Sequence, residues 1–212
     1  MRLRKKHFAI PEMQENKYVI FSAYDMRGKW KEEFKNDNKI FLELGAGKGQ
    51  FIQELAKREP NCNFIIFDRE SNAFIYATRK VRENELENVR CVPGDIMHLK
   101  EIVAPCEAHG IYINFCNPWP KKKHKKRRLT HPNFLKIYKT ILKDGGFIKF
   151  KTDDRNLFEE SLEYFDEEGF ECIKRDFDMK LELYPDNIVT EYENKFRSLG
   201  QPIYYAEFKK ID

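Results

Sequence analysis

The four residues Asn117-Pro118-Trp119-Pro120 run straight into Lys121-Lys122-Lys123-His124-Lys125-Lys126-Arg127-Arg128. The apolar run Ile111-Tyr112-Ile113-Asn114-Phe115 precedes them and reads as a buried strand. Such a strand delivers an amide, two prolines and an indole to the C-terminal edge of a sheet, where open α/β sheets bind ligands. Seven of the eight residues from 121 to 128 are Lys or Arg and the eighth is His, so a polyanion-binding strip adjoins that edge. The pairing points to chemistry performed on nucleic acid.

A second constellation comes earlier. Glu43-Leu44-Gly45-Ala46-Gly47-Lys48-Gly49 stands between an apolar run and a segment of helical periodicity. Glycines there let the backbone turn sharply and approach a ligand closely, beside helix N-terminal amides. The segment is not a Walker loop, because Lys48 is followed by Gly and no Ser or Thr holds the required register. Nor is it the dinucleotide fingerprint, since the spacing is G-x-G-x-G and the third glycine comes one residue early. An acid just ahead of the glycines suits a ligand with an amino-acid head, and S-adenosylmethionine is such a ligand. Asp68 lies 23 residues beyond Gly45, where the next parallel strand ends and a carboxylate can accept from both ribose hydroxyls. Asp95 ends the third strand and can accept from an adenine amino group, with Ile96 against the ring. Each aspartate alone also suits a helix cap or a loop. Three acids at successive strand ends favour the nucleoside site.

Asn117 stands where a transferred methyl would meet its acceptor. Asn-Pro-Trp-Pro is similar to the Asn-Pro-Pro-aromatic signature of amino-group methyltransferases, in which an amide and carbonyl oxygens hold an exocyclic nitrogen. Lys151-Thr152-Asp153-Asp154 closes a later strand, and its carboxylates can read the N–H donors of a base; Asp153 also suits a cap. The basic strip is placed for phosphate contacts, His124 among them, and Arg2, Arg4, Lys5 and Lys6 can extend the same footprint. His7, His98, His109 and His131 show no partner spacing and are given no role.

The elements that must hold these groups alternate. Strands are expected at 39–44, 63–67, 89–92, 111–115 and 147–151, with two more near 170–178 and 203–208. Helices are expected from Gln50 to about Arg58, Ser71 to Asn84, Asn133 to Leu142 and Leu157 to Glu168. This alternation implies an α/β fold: a doubly wound, mostly parallel, seven-stranded Rossmann-like sheet with an antiparallel last strand. Residues 1–38 read as a basic N-terminal extension and 39–212 as the single domain.

Composition narrows the classes. At 212 residues the chain suits one full core, and 41% hydrophobic content fits a globular protein. No apolar run reaches a membrane span and no signal-peptide core follows Met1, so the expected place is the cytoplasm. The net charge is only +4, because 39 basic residues are offset by 35 acidic ones; the local cluster therefore carries the nucleic-acid argument. Five scattered cysteines form no C-x-x-C pair, so neither metal nor disulfide is expected.

Together these residues resemble the bacterial tRNA (guanine-N7-)-methyltransferase family over essentially the whole chain. The marks are Arg2-Leu3-Arg4-Lys5-Lys6, Leu42 to Phe51, Pro118-Trp119-Pro120-Lys121-Lys122, Lys151-Thr152-Asp153, and Thr190-Glu191-Tyr192-Glu193 ahead of Lys195-Phe196. The glycine motif is shared by many methyltransferases; the Pro-Trp-Pro-Lys-Lys and Thr-x-x-Glu blocks are much more particular. The resemblance implies a class I S-adenosylmethionine-dependent enzyme, with S-adenosylhomocysteine as product and no metal. Its substrate would be a guanosine in the tRNA variable loop, methylated at N7. Glu43, Gly45, Gly47, Gly49, Asp68, Asp95 and Asn117 would then line the cofactor site. Lys121, Asp153, Thr190, Glu191, Tyr192 and Glu193 would hold the guanosine, and Lys123, His124, Lys125, Lys126, Arg127 and Arg128 would contact tRNA.

The family usually carries Asp immediately before Pro-Trp-Pro, where this chain has Asn117, and Phe67 precedes Asp68 in a motif that often has Gly and Glu nearby. Guanine N7 has a lone pair at neutral pH and loses no proton on methylation, so alignment matters more than a base. Asn117 and Asp153 are the expected catalytic pair: Asn117 positions and polarises, while Asp153 and Glu193 anchor the N1 and N2 donors. Two rivals stand beside this reading, an amino-group RNA methyltransferase and a catalytically silent tRNA-binding protein. Monomer and homodimer both remain open.

Overall fold

The computed structural model describes residues 6–211. The described residues divide into two compact units, one ending at Ala104 and the other beginning at Pro105.

The first unit opens with helix α1 (Ala9–Gln14), a 3-10 turn at Ala23–Met26 and helix α2 (Trp30–Phe34). Strand β1 (Lys39–Leu44), helix α3 (Gln50–Arg58), strand β2 (Cys62–Asp68), helix α4 (Ser71–Glu83), strand β3 (Val89–Pro93) and helix α5 (Leu99–Ile102) follow. The three strands are parallel. Their register sets Leu44 opposite Phe67 and Asp68 opposite Pro93, so all three finish nearly level. That alignment lays the loops after β1, β2 and β3 side by side on one edge. The helices cover the sheet because their apolar residues recur at helical spacing: Phe51, Ile52 and Ala56 on α3, and Phe74, Ala77, Thr78 and Val81 on α4, are buried.

The segment read as a basic extension contributes to this unit's core. Met13, Tyr18 and Trp30 are buried, and the Trp30 indole Nε1 donates to the Ile102 carbonyl at 3.0 Å. Glu12 on α1 accepts from Arg79 on α4 through both carboxylate oxygens. The backbone at Tyr18 and Ile20 exchanges hydrogen bonds with Cys91, adding a short parallel bridge beside β3. Arg2, Arg4 and Lys5, expected to extend the basic footprint, lie outside the described residues.

The second unit holds strand β4 (Ala108–Asn114), helix α6 (Pro132–Ile141), strand β5 (Leu142–Thr152), helix α7 (Arg155–Glu167), strand β6 (Phe170–Asp176), helix α8 (Glu191–Ser198) and strand β7 (Tyr204–Lys210). β4 and β5 are parallel, and β7 runs antiparallel between β5 and β6. The seven strands follow the order β3-β2-β1-β4-β5-β7-β6, the expected mostly parallel sheet with an antiparallel last strand.

Several ends differ from expectation for local reasons. β4 stops at Asn114 because Phe115 takes a left-handed φ of 51°. α6 starts at Pro132, whose missing N–H costs nothing at a helix's first position. α7 begins at Arg155 because the Asp154 side chain accepts from the Leu157 N–H at 2.7 Å. Among the described residues, no helix is long and apolar enough to cross a membrane.

If residues up to 38 belong to the core, Trp30→Ala should lower unfolding stability by about 3–5 kcal/mol. Urea denaturation reads this directly. An unchanged midpoint would return the segment to the status of an appendage.

Candidate functional site

Glu43, the penultimate residue of β1, is 3% exposed. After Leu44 the chain turns through Gly45 at φ 82°, and the N–H groups of Gly45 and Ala46 both donate to the Phe67 carbonyl, at 2.9 and 3.1 Å. Asp68 ties the neighbouring loops together. Its Oδ2 accepts from Gly47 N–H at 2.8 Å, its Oδ1 from Glu70 N–H at 2.7 Å, and its carbonyl from Gly94 N–H at 3.0 Å. Burial raises the Asp68 carboxyl above its ordinary value, while the Glu70 and Gly47 N–H groups pull the other way.

Gly47 and Gly49 do different work. A Cβ on Gly49 would lie 2.6 Å from the Ala77 Cβ, so this glycine lets α4 approach the loop. A Cβ on Gly47 would meet nothing within 4 Å, so its backbone faces open space. Asp95 is exposed; its carboxylate accepts from Met97 N–H at 3.0 Å and lies 3.5 Å from Arg69, with Ile96 buried beside it. In the first turn of α3, Gln50 Oε1 is buried and has no hydrogen-bond partner among the described residues. Carboxylate acceptors, an accessible glycine backbone and an orphaned amide oxygen suit a ligand rich in hydroxyl and amino donors. An adenosyl amino acid fits that donor set.

In the second unit, the Asn117 Oδ1 accepts from the Trp119 N–H at 3.0 Å. This Asx turn supports Trp119 at a left-handed φ of 43°. An Asp at 117 would make the same turn. The Trp119 ring stacks on His124 with centroids 5.5 Å apart, and the Arg127 guanidinium lies 5.1 Å from the ring.

Arg128 requires a correction. Expected on RNA, it is 2% exposed and staples the loop from beneath: Nε donates to the Pro118 carbonyl at 2.7 Å, one NH group to the Trp119 carbonyl and the other to Glu160. Lys125 also pairs with Glu160, at 2.7 Å. Burial works against the Glu160 carboxylate, yet Lys125 and Arg128 together hold it below its usual range. Lys121, Lys122, Lys123, Lys126 and Arg127 are the cations of the strip left exposed, on and beside a 3-10 helix spanning Lys122–Arg127.

At the end of β5, Asp154 caps α7, and Asp153 keeps no capping duty. Among the described residues, the Asp153 carboxylate makes no hydrogen bond to another side chain. Burial raises its pKa, as does Asp154, with Lys195 opposing. Cys116, which senses the Asp153 charge, is pushed up to about 12, chiefly by burial. Thr190 caps α8 by accepting from Glu193 N–H at 3.1 Å, while Tyr192 on that helix is exposed and Glu191 is exposed beside the cap.

Glu193 is the second correction. Expected to anchor guanine donors, it is 0% exposed and its oxygens are already engaged by Lys151, Asn187 and Arg197. Sequence reasoning missed Lys151 and Arg197 as a pair. The spacing of Glu193 and Arg197 by four along a helix was the available signal.

The family described as "Putative methyltransferase" matches residues 37–206. A tRNA (guanine-N(7)-)-methyltransferase of Clostridium tetani is 52% identical over 94% of this chain and 95% of its own length. The chain belongs to that family. The protein of the same description from Clostridium acetobutylicum is 49% identical over 99% of this chain and all of its own length. An antibiotic-related methyltransferase of known structure shares the fold at 18% identity and a TM-score of 0.67, over 92% of this chain and 96% of its own.

Replacing Lys121, Lys122, Lys123 and Lys126 by Gln should flatten the salt dependence of tRNA binding, the log–log slope falling by about one for each phosphate no longer neutralised. Arg128→Gln should leave that slope alone and cost about 1–3 kcal/mol of stability. A slope change in Arg128→Gln would return this residue to the RNA contacts.

Asp153 carries a pH dependence. A carboxyl raised in the folded state keeps its proton where the unfolded chain has lost it, so folding stability falls as pH rises between the two values. Asp153→Asn should therefore melt higher than wild type at neutral pH, with the gap closing below the ordinary carboxylate range. Melting curves that stay parallel across pH ~3–8, a window set by carboxylate titration, would contradict this.

Proposed function

We propose that this chain methylates N7 of a guanosine in the variable loop of tRNA, using S-adenosylmethionine and releasing S-adenosylhomocysteine. The observation that carries the reading is membership in a family whose members, 44–52% identical over nearly their full lengths, bear that description. The cytoplasm is the proposed place of action, beside the tRNA pool.

Glu43, the turn at Gly45, Gly47 and Gly49, Asp68, Asp95 and Asn117 are the proposed cofactor contacts, with Gln50 Oε1 as a further acceptor. When bound, the cofactor supplies a methyl group on a sulfonium sulfur. The chain's own task is alignment. N7 attacks with its lone pair and no proton is released, so no residue need act as a base. The methylated ring becomes cationic, and the Asp153 carboxylate is suited to offset that charge as it develops. Asn117 contributes the shape of its turn, which explains why Asn can stand in the family's Asp position. Lys121, Thr190, Glu191 and Tyr192 remain proposed guanosine contacts, and the exposed cations from Lys122 to Arg127 track phosphate.

Methyl transfer from labelled S-adenosylmethionine to unmodified tRNA transcripts, followed by borohydride–aniline cleavage, tests the reading. Cleavage at one variable-loop guanosine, abolished by changing that base, is expected. Labelled tRNA that resists cleavage would place the methyl on another atom and overturn the proposal.

A further inference from the structure

We infer that Lys151 is a positioning residue for the methyl-acceptor half of the site, acting through Glu193 to fix the first turn of α8 beside Asp153. The inference rests on the methyl-transfer reading and adds a residue to it. The side chain of Lys151 is 5% exposed, and its ammonium donates to Glu193 Oε2 at 2.9 Å, Asn187 Oδ1 at 2.9 Å and the Ile188 carbonyl at 3.0 Å. Three donors meet three acceptors, the full capacity of an ammonium group.

The other oxygen of Glu193 accepts from Asn187 Nδ2 at 2.9 Å and from Arg197 at 3.0 and 2.7 Å. Arg197 also donates to the Met179 carbonyl at 2.9 Å. One buried carboxylate and two cations thus tie both ends of the long excursion between β6 and α8 to the strand that leads into Asp153. These ties add to apolar burial at a few points, since Met179 and Ile188 within the excursion are buried and Tyr184 packs on Tyr205, while Leu181 and Leu183 are exposed.

The consequence is specific. The Thr190-capped turn carries Glu191 and Tyr192, and Lys195 one turn on acts on the Asp153 charge. Loosening Lys151 would shift these groups relative to Asp153 while leaving untouched the exposed strip, which dominates RNA affinity, and the cofactor residues of the first unit.

Full-length Lys151→Met, Lys151→Arg and Glu193→Gln variants test this by steady-state kinetics on unmodified tRNA, calorimetric S-adenosylmethionine binding and thermal melting. Lys151→Met is expected to lower kcat about 10²-fold, as ångström-scale misplacement does, with little change in KM for tRNA or in cofactor affinity. Lys151→Arg should restore most of kcat, and Glu193→Gln should reproduce the loss. A folded Lys151→Met with wild-type kcat would overturn the inference. So would a loss spread equally over kcat, KM and cofactor binding, because that marks general loosening. Should Lys151→Met fail to fold, the kcat and KM of the other two decide by the same criteria. A wild-type enzyme yielding no N7 product would instead remove the functional reading beneath it.

Discussion

An ionised group taken out of water must find hydrogen-bond partners, and this constraint shapes much of the structure. Asp68 is held by backbone: Gly47 and Glu70 each give it an N–H, and the loops after β1 and β2 come together as a result. Arg128 is held by two loop carbonyls and Glu160, which holds the Asn-Pro-Trp-Pro loop in its turned form. Glu193 is held by Lys151, Asn187 and Arg197. Arg128 and Glu193 are fasteners because buried partners hold them, while Asp68 fastens two loops and keeps a lone pair on each oxygen.

The same constraint separates fasteners from other charged groups. Asp153 and Asp154 are adjacent and chemically identical, yet Asp154 spends an oxygen on the α7 cap while Asp153 is left half-buried with a raised pKa. Burial and Asp154 raise Asp153, and its own backbone N–H and Lys195 offset that only in part. Within the basic strip the division is similar. Arg128 goes inward, Lys125 pairs with Glu160, and His124 stacks on Trp119. The other lysines stay in water, where a polyanion can reach them.

The alternation of apolar runs with helical spacing placed β1 at both ends and β2 and β3 to within a residue, while β4 begins three residues and β5 five residues before the expected starts. Misplaced ends came from features that propensity does not encode. Phe115 leaves β4 through a positive φ that a bulky residue adopts only under tertiary constraint. The first 38 residues read as a basic extension because their core residues are isolated along the chain; Met13, Tyr18 and Trp30 become a set only in the folded unit. In the site, the glycines read as one cofactor motif, but Gly49 is required by packing against Ala77 and Gly47 by its left-handed φ of 55°, since a Cβ there would meet no atom.

What the sequence determined by itself is the order of the strands and of the helices α3, α4, α6 and α7, with the residue types delivered to each strand end, whereas α1, α2, α5 and α8 came from the structure. Periodicity is local, and a strand's end carries whatever follows it, so Glu43, Asp68, Asp95, Asn117 and Asp153 could be placed at edges from spacing alone. What only the tertiary structure decided is which charges face inward. Arg127 and Arg128 are indistinguishable in a run of cations, as are Glu191 and Glu193 in one short acidic segment. Their fates part because Glu160, Lys151 and Arg197, distant in the chain or hidden in plain patterns, come within hydrogen-bond reach of one member of each pair. Burial of a charge is a property of its neighbours, and neighbours across 32 or 42 residues of chain exist only in the folded molecule.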